Sequence, residues 1–218
     1  MTRRSVFVAG ATGYLGTSVI PALLARGHAV MGLVRPGSES KLPSGCVPIV
    51  GNALDKGSFA AHVPPADTFV QLVGVPHPSP AKAAQFVSVD LASVRASAEA
   101  ATEAGVAHFV YVSVAQPAPA MKAYVEVRAR GESLIREKGL NATFLRPWYV
   151  LGPGHRWPYL LMPGYWLFER LPATRASARR IGLVTRAQMT AALVAAVENP
   201  PSGIRVLDVP EIRRSTIA

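Results

Sequence analysis

Three glycines at the spacing Gly10-x-x-Gly13-x-x-Gly16, with Thr12, Tyr14 and Leu15 between them, interrupt an apolar run that begins at Val6. The chemistry such a turn performs is anion binding. A strand that feeds a helix through glycines leaves backbone N–H groups and the positive end of the helix dipole facing one spot, where a pyrophosphate fits. Gly10 permits the tight turn, Gly13 lets phosphates approach the backbone, and Gly16 allows the helix to pack closely on the strand, while Thr12 adds a hydroxyl donor.

About twenty residues beyond the turn, the run Ala29–Val34 ends in Arg35. That position reads the adenosine ribose of a dinucleotide: an acidic residue holds the 2′-hydroxyl of NAD, and an arginine suits the 2′-phosphate of NADP. NADP(H) is therefore expected in preference to NAD(H). Asn52 and Ala53, at the end of a third apolar run from Val47, fall beside the adenine; Asn52 either bonds the base edge or forms a turn. Leu72, Val73 and Gly74 close a fourth run, Thr68–Val75, and are expected to line the cofactor groove. A second group able to do chemistry is Tyr124 and Arg128, four residues apart and so projecting from one helix face.

The elements that must position these groups are legible from periodicity. Ser5–Ala9 reads as a buried strand, and Leu15, Val19, Ala22 and Leu23 recur on one face of a following helix that Gly27 stops and Pro21 should kink. Further strands are expected at 107–114, 142–146, 182–185 and 204–209. The helices expected are a weak one at 56–62, a long alanine-rich one at 85–104, and others at 122–137 and 188–198, with a mobile tail from Glu211. His77 reads as a loop histidine. Strands alternating with helices define an α/β fold, a Rossmann-type doubly wound parallel sheet with a small C-terminal substrate lobe. The whole chain, 1–218, is expected to be one NAD(P)-binding domain, with 148–185 forming the substrate or lid lobe.

Four stretches carry a family resemblance: Gly10-Ala-Thr-Gly-Tyr-Leu-Gly16, Val110-Tyr-Val-Ser-Val114, Tyr124-x-x-x-Arg128-x-x-x-Glu132, and Phe144-Leu-Arg-Pro-Trp-Tyr-Val-Leu-Gly-Pro153. Together the chain resembles the atypical short-chain dehydrogenase/reductases, the NmrA-like proteins and the nucleotide-binding accessory subunit of respiratory complex I among them. The resemblance implies that Ser113 polarises a substrate carbonyl, Tyr124 transfers a proton, and Arg128 holds the ribose, with Pro147 and Trp148 closing over the nicotinamide. Arg128 departs from the family's lysine. It binds ribose hydroxyls and supplies a cation, but does not readily release a proton into a relay.

Composition limits the alternatives. Half of the 218 residues are apolar, enough for one well-buried core. The single cysteine, Cys46, excludes an internal disulfide and a cysteine metal cluster, and reads as a packed thiol in a reducing cytoplasm. The formal charge of +10 is spread, with 14 bases against 9 acids in residues 1–150 and 9 against 4 in 151–218. There is no basic stripe with interleaved aromatics, so no nucleic-acid partner is expected. Neither a signal region nor a transmembrane segment is expected, which places the chain in the cytoplasm.

Between His155 and Phe168 aromatics and leucines concentrate, near Arg156, Arg170, Arg175, Arg179 and Arg180. Three readings stand for it: a lid over an apolar small-molecule substrate, an element meeting a membrane surface or protein partner, or core of the small lobe. The function expected is NADP(H)-dependent hydride transfer to an apolar carbonyl or quinone-like substrate. The alternatives are a non-catalytic NADP(H)-binding sensor or scaffold, and isomerase or dehydratase chemistry.

Overall fold

The computed structural model describes residues 2–153 and 180–216. Seven strands form one parallel sheet in the order β3-β2-β1-β4-β5-β6-β9. They are β1 Ser5–Ala9, β2 Ala29–Val34, β3 Val47–Val50, β4 Thr68–Gln71, β5 His108–Val112, β6 Ala142–Arg146 and β9 Ile204–Asp208. Every pairing in it is parallel. The order reverses between β1 and β4, which is where ligands bind in sheets of this kind. A separate parallel pair joins β7 Tyr149–Leu151 to β8 Leu183–Thr185.

Alternation along β1 divides the core. Val6 and Val8 face the side where α1 (Gly16–Ala25) and α4 (Arg186–Glu198) pack with Ile20, Leu23, Leu193 and Val197. Phe7 and Ala9 face the other side with Val94 of α2 (Ala92–Glu103) and Ile135 of α3 (Lys122–Glu137). On that side Phe7, Phe69 and Phe109 stand directly opposite one another on adjacent strands. Their rings stack with centroids 5.0 and 5.2 Å apart, a row of aromatics that pins the register.

The structure adjusts several expectations at element ends. The fourth strand stops at Gln71, so Leu72–Gly74 are loop, although the Leu72 N–H still reaches the Ala9 carbonyl at 2.9 Å. The long helix begins as a short turn, Ala83–Gln85, and widens into a π-type stretch over Phe86–Leu91 before α2 proper. Residues 56–62 form two short 3₁₀ turns. α1 continues through Pro21, which lies on its exposed side.

The expected mobile tail is instead α5 (Val209–Arg214), whose Val209 and Ile212 are fully buried. Its start is fixed by the Glu211 carboxylate, which accepts the Asp208 N–H at 3.1 Å, a capping signal present in Asp208-Val-Pro-Glu211. α4 starts two residues earlier than the expected 188, capped at Thr185 reciprocally with Gln188. Most of the expected lobe, including the aromatic stretch from His155 to Phe168, lies outside the described residues.

Candidate dinucleotide site

Most of the residues singled out from sequence lie at the carboxyl end of the sheet, just past the last residue of a strand. Gly10 follows β1, Arg35 follows β2, Asn52 lies just past β3, Leu72 follows β4, Ser113 follows β5, and Pro147 and Trp148 follow β6.

The glycine turn has the backbone geometry that anion binding requires. Gly10 takes φ +85°, and a Cβ there would meet the Leu72–Val73 backbone at 3.0 Å. A Cβ on Gly16 would fall 2.3 Å from the Ala11 carbonyl oxygen, so only glycine brings the start of α1 this close to β1. Inside the turn the Gly13 N–H bonds the Gly10 carbonyl, and the Thr17 N–H bonds the Gly13 carbonyl, both at 3.0 Å. The Leu15 and Gly16 amides donate to no backbone acceptor among the described residues. α1 lacks a side-chain cap, which leaves the dipole end open to an outside anion. These residues fit the pyrophosphate of a dinucleotide.

Around the turn, Arg35 is exposed at the β2 end; its carbonyl accepts the Ser38 N–H at 3.0 Å, while its guanidinium makes no hydrogen bond or ion pair to another described residue. Asn52 forms a turn, its Oδ1 accepting the Leu54 N–H at 3.1 Å. Ala53 packs against the core. Pro147 is buried, with its carbonyl accepting the Ala115 N–H, and Trp148 meets Tyr149 edge to face with centroids 6.1 Å apart.

At the β5 side, Ser113 meets one buried carboxylate, Glu132, while Arg128 and Tyr124 gather with another, Asp90. Ser113 Oγ donates to Glu132 Oε1 at 2.7 Å. Glu132, 1% exposed, also accepts from Gln116 Nε2, from Arg136, and from Arg146 through Nε at 2.9 Å and Nη2 at 2.6 Å. Burial alone would push its carboxyl up, but these donors hold it below the ordinary value. It stays an acceptor.

Arg128 is 5% exposed. Its Nη1 donates to the Val112 carbonyl at 2.9 Å, and its Nη2 sits 2.5 Å from Asp90 Oδ1. The guanidinium carbon lies 5.1 Å from the Tyr124 ring centroid and 5.8 Å from that of Tyr111. Burial would lower its pKa, but Tyr124, Tyr111 and Asp90 reverse that and hold it protonated. Burial lifts Asp90 above the usual carboxylate range, opposed by Arg128 and by the Val75 N–H. Burial likewise pushes the Tyr111 phenol up to about 12. A Cβ at Gly74 would lie 2.1 Å from Arg128 Nη2, so that glycine is the seat of the guanidinium. Tyr124 packs on Phe86 at 5.0 Å.

Sequence reasoning placed Arg128 against ribose and did not single out Asp90. Asp90 lies four residues from each of the buried Phe86 and Val94, and the visible signal was this lone acid on the inward face of an otherwise small, apolar segment.

A parallel sheet with this switch point and a glycine turn of this shape defines a dinucleotide-binding protein of Rossmann type. The chain belongs to the NAD(P)H-binding family, whose model matches residues 10–200, and the expected resemblance to atypical short-chain dehydrogenase/reductases accords with that family. It is 27% identical over 222 residues to a ceramide reductase of Caulobacter vibrioides, covering 97% of this chain but only 66% of that protein's length. Among solved structures it resembles the Bordetella bronchiseptica enzyme WbmH in complex with NAD+, with a TM-score of 0.71, 20% identity, and coverage of 95% of this chain and 76% of that one. It also resembles a UDP-N-acetylglucosamine 4-epimerase from Bacillus cereus, with a TM-score of 0.69, 16% identity, and coverage of 96% and 83%. Among the described residues no helix is long and apolar enough to cross a membrane, and no group of three or more potential metal ligands occurs.

Proposed function

We propose that the protein is an NADP(H)-dependent oxidoreductase acting on an apolar carbonyl or quinone-like small molecule. The observation that carries it is the uncapped glycine turn at the β1–β4 switch point, with Gly10 at φ +85° and Gly16 pressed against Ala11. The turn amides hold the pyrophosphate. Arg35 takes the adenosine 2′-phosphate, with its planar donor fork exposed at the β2 end. Leu72, Val73 and Gly74 flank the groove, Asn52 and Ala53 the adenine, and Pro147 and Trp148 the nicotinamide.

The bound cofactor supplies the hydride. Tyr124 delivers a proton from its phenolic oxygen to the oxygen of the reduced carbonyl. Ser113 Oγ donates to that same oxygen once its hydrogen turns away from Glu132. Arg128 contributes a fixed cation beside Tyr124 and reaches ribose only if it leaves Asp90. The name of the Caulobacter relative is in keeping with reduction of an apolar substrate. Residues 148–185 as the substrate lobe belong to this proposal, supported by the pairing of β7 and β8 at its two ends. So does a cytoplasmic setting, supported by the lone buried thiol of Cys46.

The deciding experiment titrates the protein with NADPH and NADH at one salt concentration, then repeats the titration with Arg35→Asp. Tighter NADPH binding that weakens roughly ten- to a hundredfold in the variant is expected, the loss of one or two charge-assisted bonds. Equal affinity for both cofactors sinks the NADP(H) assignment. Reduction of a carbonyl substrate that survives Tyr124→Phe unchanged sinks the proton-donor role.

A second reading is favoured by the engagement of Ser113 with Glu132 and of Arg128 with Asp90. In it the chain is a non-catalytic NADP(H)-binding sensor or scaffold that meets a protein or membrane partner. Tight binding without turnover across carbonyl and quinone substrates, together with cosedimentation on anionic vesicles, is its expected outcome.

A further inference from the structure

Arg186 opens α4, a long way in sequence from the glycine turn, yet its side chain ends on that turn. Its Nη2 donates to Thr17 Oγ1 at 3.1 Å, and its guanidinium carbon lies 5.0 Å over the Tyr14 ring. Thr17 Oγ1 in turn donates to the Gly13 carbonyl at 3.1 Å, with the Tyr14 carbonyl a longer alternative at 3.3 Å, and the Gly13 oxygen also accepts the Thr17 N–H at 3.0 Å. In a trans peptide the C=O and the following N–H point in opposite directions. Holding the Gly13 carbonyl into the helix therefore aims the Tyr14 N–H outward, toward the place where the phosphates sit. The same corner depends on Gly152, where a Cβ would fall 2.2 Å from Tyr14 Oη and 3.2 Å from Arg186 Cβ. The C-terminal part of the chain thus reaches back to the turn through a hydrogen-bonded cation, from residues that bound the expected lobe.

We propose that Arg186 is a positioning residue for the dinucleotide pyrophosphate, which fixes the Gly13–Tyr14 peptide through Thr17 and adds positive charge beside the phosphates. This rests on the dinucleotide reading above. Three features separate it from a merely structural clamp. Its effect depends on the ligand carrying phosphates. It is shared with Thr17, so the two substitutions are not additive. A lysine, which keeps the charge but not the fork, recovers only part of it.

The experiment measures, by titration calorimetry, binding of NADPH, NADH and ADP-ribose, with adenosine as a competitor, to the unaltered protein, Arg186→Gln, Arg186→Lys, Thr17→Val and the Arg186→Gln/Thr17→Val double variant. Arg186→Gln is expected to weaken ADP-ribose about tenfold, the loss of one charge-assisted bond, while adenosine is unchanged. Thr17→Val is expected to lose less, the double variant no more than Arg186→Gln, and Arg186→Lys to fall between. Unchanged ADP-ribose affinity in Arg186→Gln, an equal loss for adenosine, or strictly additive losses overturns the proposal. An unaltered protein that binds neither NADPH nor NADH overturns the dinucleotide reading itself, and this inference with it.

Discussion

Arg128 and Asp90 form a buried ion pair 2.5 Å apart, with their side chains 6% and 0% exposed. α3 delivers the cation, and the π-type stretch before α2 delivers the anion. Replacing Asp90 by Ala leaves a buried guanidinium without its carboxylate, a change expected to cost about 3 kcal/mol or more. Replacing the pair together by Leu and Met is expected to restore most of that loss. Denaturant unfolding of the single and double variants measures both. If Asp90→Ala matches the parent in stability, water has taken the place of the carboxylate and the pair is not structural. Tyr124, whose ring lies beside the guanidinium, makes cofactor-dependent activity a second readout of the same variants.

Glu132 joins α3 to β6 through the two bonds from Arg146, and to the β5 end through Ser113. Glu132→Gln keeps the shape but removes the charge that Arg146 faces, and is expected to cost roughly 2–3 kcal/mol in denaturant unfolding. Ser113→Ala removes one donor from a carboxylate that keeps others, and is expected to cost about 1 kcal/mol or less. A larger loss for Ser113→Ala than for Glu132→Gln would reverse the roles assigned to them.

Gly16→Ala forces a methyl into the 2.3 Å gap before the Ala11 carbonyl. The expected outcome is an overpacking loss of about 1–3 kcal/mol together with loss of dinucleotide binding, since the first turn of α1 must move. Gly27→Ala serves as the comparison, because open space surrounds the Cβ position there and only the φ of +82° is strained. It is expected to leave binding intact.

His108 is fully buried on β5, its Nε2 3.0 Å from Thr143 Oγ1. Burial first, and then the charges of Arg205 and Arg4, hold its imidazole down at about 4, against an ordinary value of 6.5. The folded state therefore binds fewer protons than the unfolded state between those two values, and stability rises with pH across that window. The contribution is complete above about pH 6.5 and is lost as pH falls toward 4, amounting to roughly 3 kcal/mol. Unfolding free energies from pH 7.5 to 4 measure it. In His108→Gln the part of the slope between pH 6.5 and 4 is expected to flatten.

The sheet and the glycine turn were legible because their signals are local. Val6–Ala9 is too apolar for any place but a buried strand, and Gly10, Gly13 and Gly16 are spaced by the turn they build. Element ends were less so: Leu72–Gly74 carry a strand's composition, yet their backbone is drawn to Gly10 and to the Arg128 guanidinium. Asp90 and Arg186 were not visible as site residues, because each acts across the fold rather than along the chain. Asp90 shares the inward face of Phe86 and Val94, four residues to either side, where an apolar side chain is expected, and Arg186 meets Tyr14 and Thr17 only after α4 packs against α1. α5 was overlooked although Asp208 and Glu211 carry its capping signal, since two arginines so near the end of the sequence resemble a solvated tail.

The edge strand β9 also has a consequence for how the chain is made. It pairs with β6 in parallel register, Thr143 beside Arg205, partners 62 residues apart. During synthesis the β6 edge stays open until residues 204–208 have followed it from the ribosome, and the buried anchors Val209 and Ile212 come after them. Long-range parallel pairing is slow to form and exposed to misassociation until it does. A chain stalled or cut before residue 204 would present an unpaired strand edge to its neighbours, which makes the arrival of β9 and its two buried anchors the step that closes this side of the sheet.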